Sequence, residues 1–112
     1  MKKKVFVAQI PHRRDRETGA IYPSVDISPA YRHGEVVTVF PPSVSVFDLE
    51  PVIGQIQDVL YEYDYDRGDS LLAVGDPAIT AVAAGILALG GPFRVLKWQR
   101  VEKEYIPVEV NL

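Results

Sequence analysis

The sequence predicts a small α/β protein with a Rossmann-like, mostly parallel sheet of about five strands and two main helices. Short apolar runs typical of buried strands alternate with two longer helical segments between residues 35 and 98. A strand-helix-strand-helix-strand order makes two successive crossover units, which are right-handed in nearly all proteins. We expect the 112 residues to fold as a single domain, 1–112, with an antiparallel edge strand at the carboxyl end.

The predicted strands are apolar runs bounded by proline, glycine or turn residues. Pro11 ends the first run, and Pro41-Pro42 ends the second. Pro107 places the last strand at a sheet edge, because proline cannot donate a hydrogen bond to a central ladder. The five predicted strands cover residues 4–10, 35–40, 70–75, 93–98 and 105–110.

An apolar stripe with i, i+3, i+4, i+7 spacing predicts the first helix. Asp48 is its expected N-cap, and Pro51 falls in the first turn, where a missing N–H is harmless. Phe47 and Val52 have the spacing of a hydrophobic staple. The stripe comprises Leu49, Val52, Ile53, Ile56, Val59, Leu60 and Tyr63.

The second helix is predicted over residues 77–89, where Gly90-Gly91-Pro92 ends it. It is apolar nearly all round, so one sheet face does not account for its whole surface. We therefore expect a homodimer contact on this helix. The candidate interface residues are Ile79, Val82, Ala83 and Ile86.

Residues 11–34 form a long polar, partly basic loop or insertion. If both helices lie on one face of the sheet, this segment or a second subunit must cover the other face. Short extended pieces, or a helical turn near "SPAY", are compatible with its composition.

Charge and cysteine content restrict the classes of function. The chain has no cysteine, which excludes disulfides, thiolate metal sites and thiol catalysis and fits a cytoplasmic location. Its net charge of −3 divides into +4 over residues 1–34 and −7 over residues 35–112. The longest apolar run is shorter than the roughly 20 residues that span a bilayer, so no membrane partner is expected.

The carboxyl ends of the predicted strands define a candidate ligand site. Loops and helix N-termini meet at this rim of a parallel sheet, where ligands of α/β proteins bind. Basic side chains beside helix N-termini attract anions, so a nucleotide or phosphate metabolite is the expected ligand class. The candidate ligand-binding residues are His12, Arg13, Arg14, Ser43, Gly75 and Asp76.

The "VGDP" turn before the second helix has two interpretations. Gly75 fits a phosphate loop, which brings backbone N–H groups close to the anion. Asp76, however, is a good N-cap, and its carboxylate would occupy the place that a phosphate needs. Because Pro77 also removes a donor, we favour the helix cap.

Two charged clusters carry weaker signals. His12 and the arginines at 13, 14 and 16 could bind a phosphate, a nucleotide or a nucleic-acid backbone, with Tyr22 or Tyr31 available for stacking. Two acids within the cluster and a pI of about 5.3 disfavour nucleic acid. The acidic stretch "YEYDYDRGD" (61–69) lacks the spacing of a calcium loop, so we interpret it as a solvated helix-exit loop and expect no metal.

The carboxyl half resembles a group of short, uncharacterised proteins encoded in bacteriophage genomes. The resemblance covers "LLAVGDPAITAVAAGILALGGPFRVLKWQRVEKEYIPVEVNL" (71–112), with its Gly-Asp-Pro turn, Ala-rich helix, glycine stop and Tyr-x-Pro-Val strand. It implies a small viral accessory protein that acts by binding a host or phage macromolecule, and it assigns no catalytic residues.

The sequence contains no recognisable catalytic combination of a nucleophile, a general base and metal ligands. We therefore expect a non-enzymatic protein without a cofactor, which binds a protein partner and forms a homodimer. Two alternatives stay open: a nucleotide or phosphate-metabolite binder that uses the rim, and a nucleic-acid binder that uses the basic residues 2–4 and 12–16.

Overall fold

The computed structural model describes residues 2–40 and 48–112. Within these two ranges the chain forms a five-stranded sheet, a separate two-stranded sheet, and helices, so the α/β class is confirmed. The strands are β1 (Lys4–Gln9), β2 (His12–Arg14), β3 (Ile21–Pro23), β4 (Glu35–Phe40), β5 (Ser70–Leu72), β6 (Phe93–Gln99) and β7 (Glu104–Val110). The α-helices are α1 (Ile53–Leu60) and α2 (Pro77–Gly90), and 3₁₀ turns lie at Ser28–His33 and Glu50–Val52.

The main sheet has the strand order β4-β1-β5-β6-β7. Neighbouring strands from β4 to β6 pair in parallel, whereas β7 pairs antiparallel with β6, as predicted. The chain moves outward from β1 to β4 and then crosses back over β1 to β5. This is a doubly wound order, whose switch point lies between the carboxyl ends of β1 and β5.

The strands bury side chains on both faces, which explains why they are continuous apolar runs. Phe6 and Leu71 pack beneath the two α-helices, whereas Val7 and Leu72 point to the opposite face. The chain runs across the sheet in one direction from β1 to β4 and in the opposite direction from β4 to β5 and β6. Right-handed crossovers therefore put the β1–β4 connection on one face of the sheet and both α-helices on the other. Residues 11–34 therefore supply the cover of the second face, through Ile27 and Ala30.

Two boundaries differ from the sequence prediction by more than one residue. Asp48 does not cap the first helix: the N-cap position of α1 is Val52, which has no side-chain oxygen, and the preceding residues Glu50–Val52 form a 3₁₀ turn around Pro51. The third strand ends at Leu72 rather than at residue 75. The predictions for Ser43 and Phe47, and the Pro41-Pro42 stop, lie outside the described residues.

Residues 11–24 form a hairpin that we call the arm. Among the described residues, strands β2 and β3 pair only with each other. The first and last residues of the arm are joined by a hydrogen bond of 2.9 Å from the Ser24 N–H to the Pro11 carbonyl. At the tip, the Asp15 carboxylate accepts hydrogen bonds from the N–H groups of Glu17 and Thr18. The "SPAY" segment that follows is the predicted helical turn, a 3₁₀ turn at Ser28–His33.

Candidate functional site

The rim turn before α2 is a helix cap. The Asp76 carboxylate accepts a hydrogen bond from the Ala78 N–H at 2.8 Å, and Pro77 occupies the first turn. Asp76 is therefore engaged with the N–H group that an anion would need, as the cap interpretation predicts.

The crevice between the carboxyl ends of β1 and β5 is narrow because backbone meets backbone there. Gly75 has φ +91°, and a Cβ at this position would lie 2.3 Å from the Gln9 carbonyl oxygen. Glycine is required here for both the positive φ and the close approach. At the switch point, where this fold binds ligands, Gly75 thus packs against the chain itself.

The other predicted rim residues lie on the arm or outside the described ranges. The His12 ring Nδ1 contacts the Ile10 carbonyl at 2.7 Å, within its own segment. Arg13 and Arg14 lie on β2 with exposed side chains. Within residues 2–40 and 48–112, no hydrogen bond or ion pair joins these three residues to Gly75 or Asp76.

The arm presents cationic and apolar side chains together. Arg13 lies opposite Tyr22 and Arg14 opposite Ile21, and all four side chains are exposed. A hollow of about 520 Å³ is lined by Arg13, Arg14, Asp15, Arg16 and Tyr22. In the part of the chain that the structure describes, none of the arginines at 13, 14 and 16 has an ion pair.

The remaining basic residues of the first third lie elsewhere. Lys2 and Lys3 line a separate pocket of about 400 Å³ with Arg32 and His33, at the amino end of β1 and β4. Arg32 is paired with Glu104 at 2.8 Å. The basic surface of residues 1–34 is thus divided between the two ends of β1, about 17 Å apart along the strand.

The acidic loop at 61–69 is organised around one buried carboxylate, which the sequence did not reveal. Asp69 is fully buried and accepts hydrogen bonds from the Lys4 N–H, the Asp64 N–H and the Arg67 guanidinium. Burial alone would raise the pKa of the Asp69 carboxyl, but the hydrogen bonds from Arg67, Lys4 and Asp64 outweigh it and lower the pKa. The interpretation of Asp69 as a solvated loop residue was therefore wrong.

Nearby tyrosines connect this loop to the sheet. The Tyr63 hydroxyl donates to the Asp69 carbonyl at 2.8 Å and accepts from the Arg94 N–H at 3.0 Å, and burial raises its pKa. The Tyr65 hydroxyl donates to Glu109 at 2.7 Å, which raises the Tyr65 pKa, and the Arg94 guanidinium lies 4.0 Å from the Tyr65 ring centroid. Among the described residues, no cluster of three or more His, Asp or Glu side chains could hold a metal ion.

An aromatic groove of about 630 Å³ lies where the carboxyl ends of α1 and α2 meet this loop. Tyr61 and Leu89 stand at its edges with exposures of 90% and 89%, and Asp66 is the charged residue among the described lining residues. We refer to it as the groove, and it is lined by Gln57, Leu60, Tyr61, Tyr63, Tyr65, Asp66, Ile86, Leu87, Leu89, Gly90 and Pro92. Sequence reasoning missed it, because its residues come from separate segments; the signal available was the cluster of three tyrosines after α1.

The candidate interface residues of α2 divide between core and surface. Ile79 and Ala83 are fully buried in the core of the same chain, so they are not available to a second subunit. Val82 and Ile86 are partly buried, and Ile86 also lines the groove. Part of the all-round apolarity of α2 therefore belongs to the groove.

Fold and surface define a small, doubly wound α/β protein with a basic arm at one end of its sheet and an aromatic groove at the other. The comparison with known families then gives its family. Residues 3–112 match the family described as Phage Pam3 gp32-like protein, and the chain belongs to that family. The resemblance to phage proteins in residues 71–112 is confirmed and extends over nearly the whole chain.

No curated protein and no solved structure matches the chain. Among the described helices, none has both the length and the apolar character needed to cross a membrane.

Proposed function

We propose that this phage protein is an accessory protein that binds a partner protein through its arm and catalyses no reaction. The observation that supports the proposal is the composition of the arm: Arg13, Arg14 and Arg16 have no ion pair within residues 2–40 and 48–112, and they lie beside the exposed Ile21 and Tyr22.

The arm's chemistry specifies its partner. Arginine binds carboxylates through two parallel hydrogen bonds, and arginine and tyrosine are enriched among the residues that dominate protein interfaces. Two acids of the arm, Asp15 and Glu17, offset only part of the charge of its three arginines, and within the described residues neither forms an ion pair with them. The expected partner surface is acidic with an apolar centre.

A projecting hairpin also favours binding energetically. An isolated two-stranded hairpin is only marginally stable in water, so a partner that covers its apolar side chains stabilises it. Ile21 is 58% exposed and Tyr22 is 46% exposed in the free chain, which leaves that apolar area to be buried on binding.

A capture experiment from a lysate of phage-infected cells tests the proposal. The immobilised chain is compared with an arm variant, Arg13→Glu/Arg14→Glu/Arg16→Glu, and with a charge-matched control, Lys2→Glu/Lys97→Glu/Arg100→Glu, whose residues are also exposed and without ion pairs in the described chain. We expect the wild type and the control to recover the same proteins, and the arm variant to lose them.

Two results would contradict this function. One is recovery of the same proteins by the arm variant. The other is loss of capture by the wild type after nuclease treatment, which would favour the nucleic-acid alternative, whose affinity falls steeply with salt.

A thermal-shift screen against nucleotides tests the remaining alternative, the rim site. A ligand at 100 times its Kd stabilises a protein by about 2.7 kcal/mol. Because Asp76 caps α2 and Gly75 packs on Gln9, we expect no shift at millimolar nucleotide.

A further inference from the structure

We propose that the arm binds the groove of a second copy of this chain, so that copies assemble head to tail. This inference rests on the proposed function, since it names the partner that the arm recognises.

The groove has the chemistry to receive a cation with an apolar stem. Tyr61 offers an exposed ring, on which a guanidinium stacks favourably, and Asp66 offers a free carboxylate, whereas the Tyr65 ring already carries the Arg94 guanidinium on one face. The carboxyl ends of α1 and α2 both point to the groove, and neither helix has a basic residue in its last turn. The partial negative charge of two helix ends is therefore left to attract a cation.

The positive charges near the groove are already engaged. Arg67 binds the buried Asp69 carboxylate, and Arg94 binds Glu109. The groove is thus acidic and apolar, which is the partner surface that the arm requires.

The arm complements the groove in charge and in apolar character. Arg13, Arg14 and Arg16 are cations without partners in the described chain, and Ile21 and Tyr22 supply an apolar centre. Residues 1–34 carry +4 and residues 35–112 carry −7, so this pairing also joins the positive part of one copy to the negative part of the next.

The placement of the two surfaces fixes the type of assembly. The arm follows the carboxyl end of β1, whereas the groove lies at the amino end of the sheet, beside the start of β6. None of the described groove residues belongs to the arm, so a chain does not fill its own groove. A contact between unlike surfaces at opposite ends is heterologous, and it generates a ring if the rotation closes and a filament if it does not.

Complementary variants test the inference. The arm variant above keeps an intact groove, and a groove variant, Tyr61→Ala/Asp66→Lys/Leu89→Ala, keeps an intact arm. The three groove side chains are exposed, so the melting temperature should match that of the wild type; a single Leu89→Glu change repeats the test. Mass is measured by sedimentation velocity between about 1 µM and about 1 mM, the range of weak to moderate affinities.

We expect the mass of the wild type to rise with concentration and to fall as salt increases. Each variant alone should have the chain mass of 12.5 kDa, and an equal mixture should give a species of twice that mass. Assembly in the mixture stops at two chains, because the intact arm of the groove variant binds the intact groove of the arm variant and the remaining arm and groove are both mutated.

Three outcomes would overturn the inference: a wild type that is monomeric at every concentration, a variant that still assembles alone, or a mixture that stays at 12.5 kDa. If the wild type is monomeric but the arm variant still loses capture of another protein, the proposed function stands and only the inference fails. If the arm variant matches the wild type in both experiments, both fail.

Discussion

Asp69 shows how one carboxylate can organise a loop that looks solvated in sequence. Its oxygens accept four hydrogen bonds, from the N–H groups of Lys4 and Asp64 and from two guanidinium nitrogens of Arg67. The Arg67 side chain is itself mostly buried, with 11% exposure. A paired and saturated charge of this kind is stable in the interior, whereas either partner alone is not.

We therefore expect Asp69→Asn to lower the free energy of unfolding by about 3–5 kcal/mol, because it removes the buried carboxylate that forms an ion pair with the Arg67 guanidinium. Urea denaturation measures the change. Asp66→Asn is the matched control, since Asp66 is exposed and its carboxylate has no hydrogen bond in the described structure; it should change stability by less than about 0.5 kcal/mol. Equal effects of the two substitutions would contradict the role of Asp69.

The same carboxylate predicts a dependence of stability on pH. The folded-state pKa of Asp69 lies below its unfolded value of about 3.9, so its contribution is fully present above about pH 4 and is lost as the pH falls through the lowered pKa. The difference in unfolding free energy between wild type and Asp69→Asn should be constant from about pH 7 to about pH 5 and should shrink well below pH 4. Urea titrations at several pH values test this, and a difference that grows in acid would disprove it.

At the scale of elements, the predictable parts were those with local signals. The strands β1, β4, β6 and β7 and the helix α2 combine an apolar run with proline or glycine boundaries, and each was predicted to within one residue at either end. Asp48 failed as a cap because several residues before α1 could begin a helix, and the chain winds a 3₁₀ turn first.

The arm and the groove had no such signals. Strands β2 and β3 have three residues each, too few to show alternation, so a hairpin looked like a loop. The groove depends on the meeting of α1, α2 and the loop after α1, and only the tertiary fold brings them together. The ligand residues predicted for the rim follow a general rule of sheet topology; His12, Arg13 and Arg14 lie on the arm, and within the described residues no hydrogen bond or ion pair joins them to Asp76.

Alanine substitutions at two glycines, one before α2 and one within it, should change the free energy of unfolding in opposite directions. Gly75→Ala should lower the free energy of unfolding by about 1–3 kcal/mol from backbone strain, with the clash on Gln9 adding to it. Gly85→Ala, in the helix interior with open space around it, should raise stability by about 0.5–1 kcal/mol. Thermal and urea denaturation measure both, and a neutral Gly75→Ala would show that the close approach to Gln9 is not required.

At the scale of the whole molecule, the chain divides into the main sheet with its helices, which we call the body, and the arm. The core clusters take in both faces of the main sheet, and none of the described residues in them belongs to the arm. The stability of the body therefore depends on apolar burial to which the arm does not contribute. The exposed side chains of the arm remain accessible.

Replacing residues 13–22 with Asn-Gly, a preferred two-residue hairpin turn, tests this division. We expect the free energy of unfolding of the remaining chain to change by less than about 1 kcal/mol, since the removed side chains are mostly exposed. Capture of partner proteins should be lost at the same time. A shortened chain that no longer unfolds cooperatively would show that the arm is part of the folding unit.

The contact between Gly75 and Gln9 has a consequence for protein engineering. Glycine is already the smallest residue, so no substitution at position 75 can widen the crevice between β1 and β5. A designer who wanted to install a nucleotide site on this scaffold would have to lengthen the loop between Leu72 and Pro77 and so move the backbone itself. The position at which doubly wound sheets bind ligands could thus be opened here by insertion and not by point mutation.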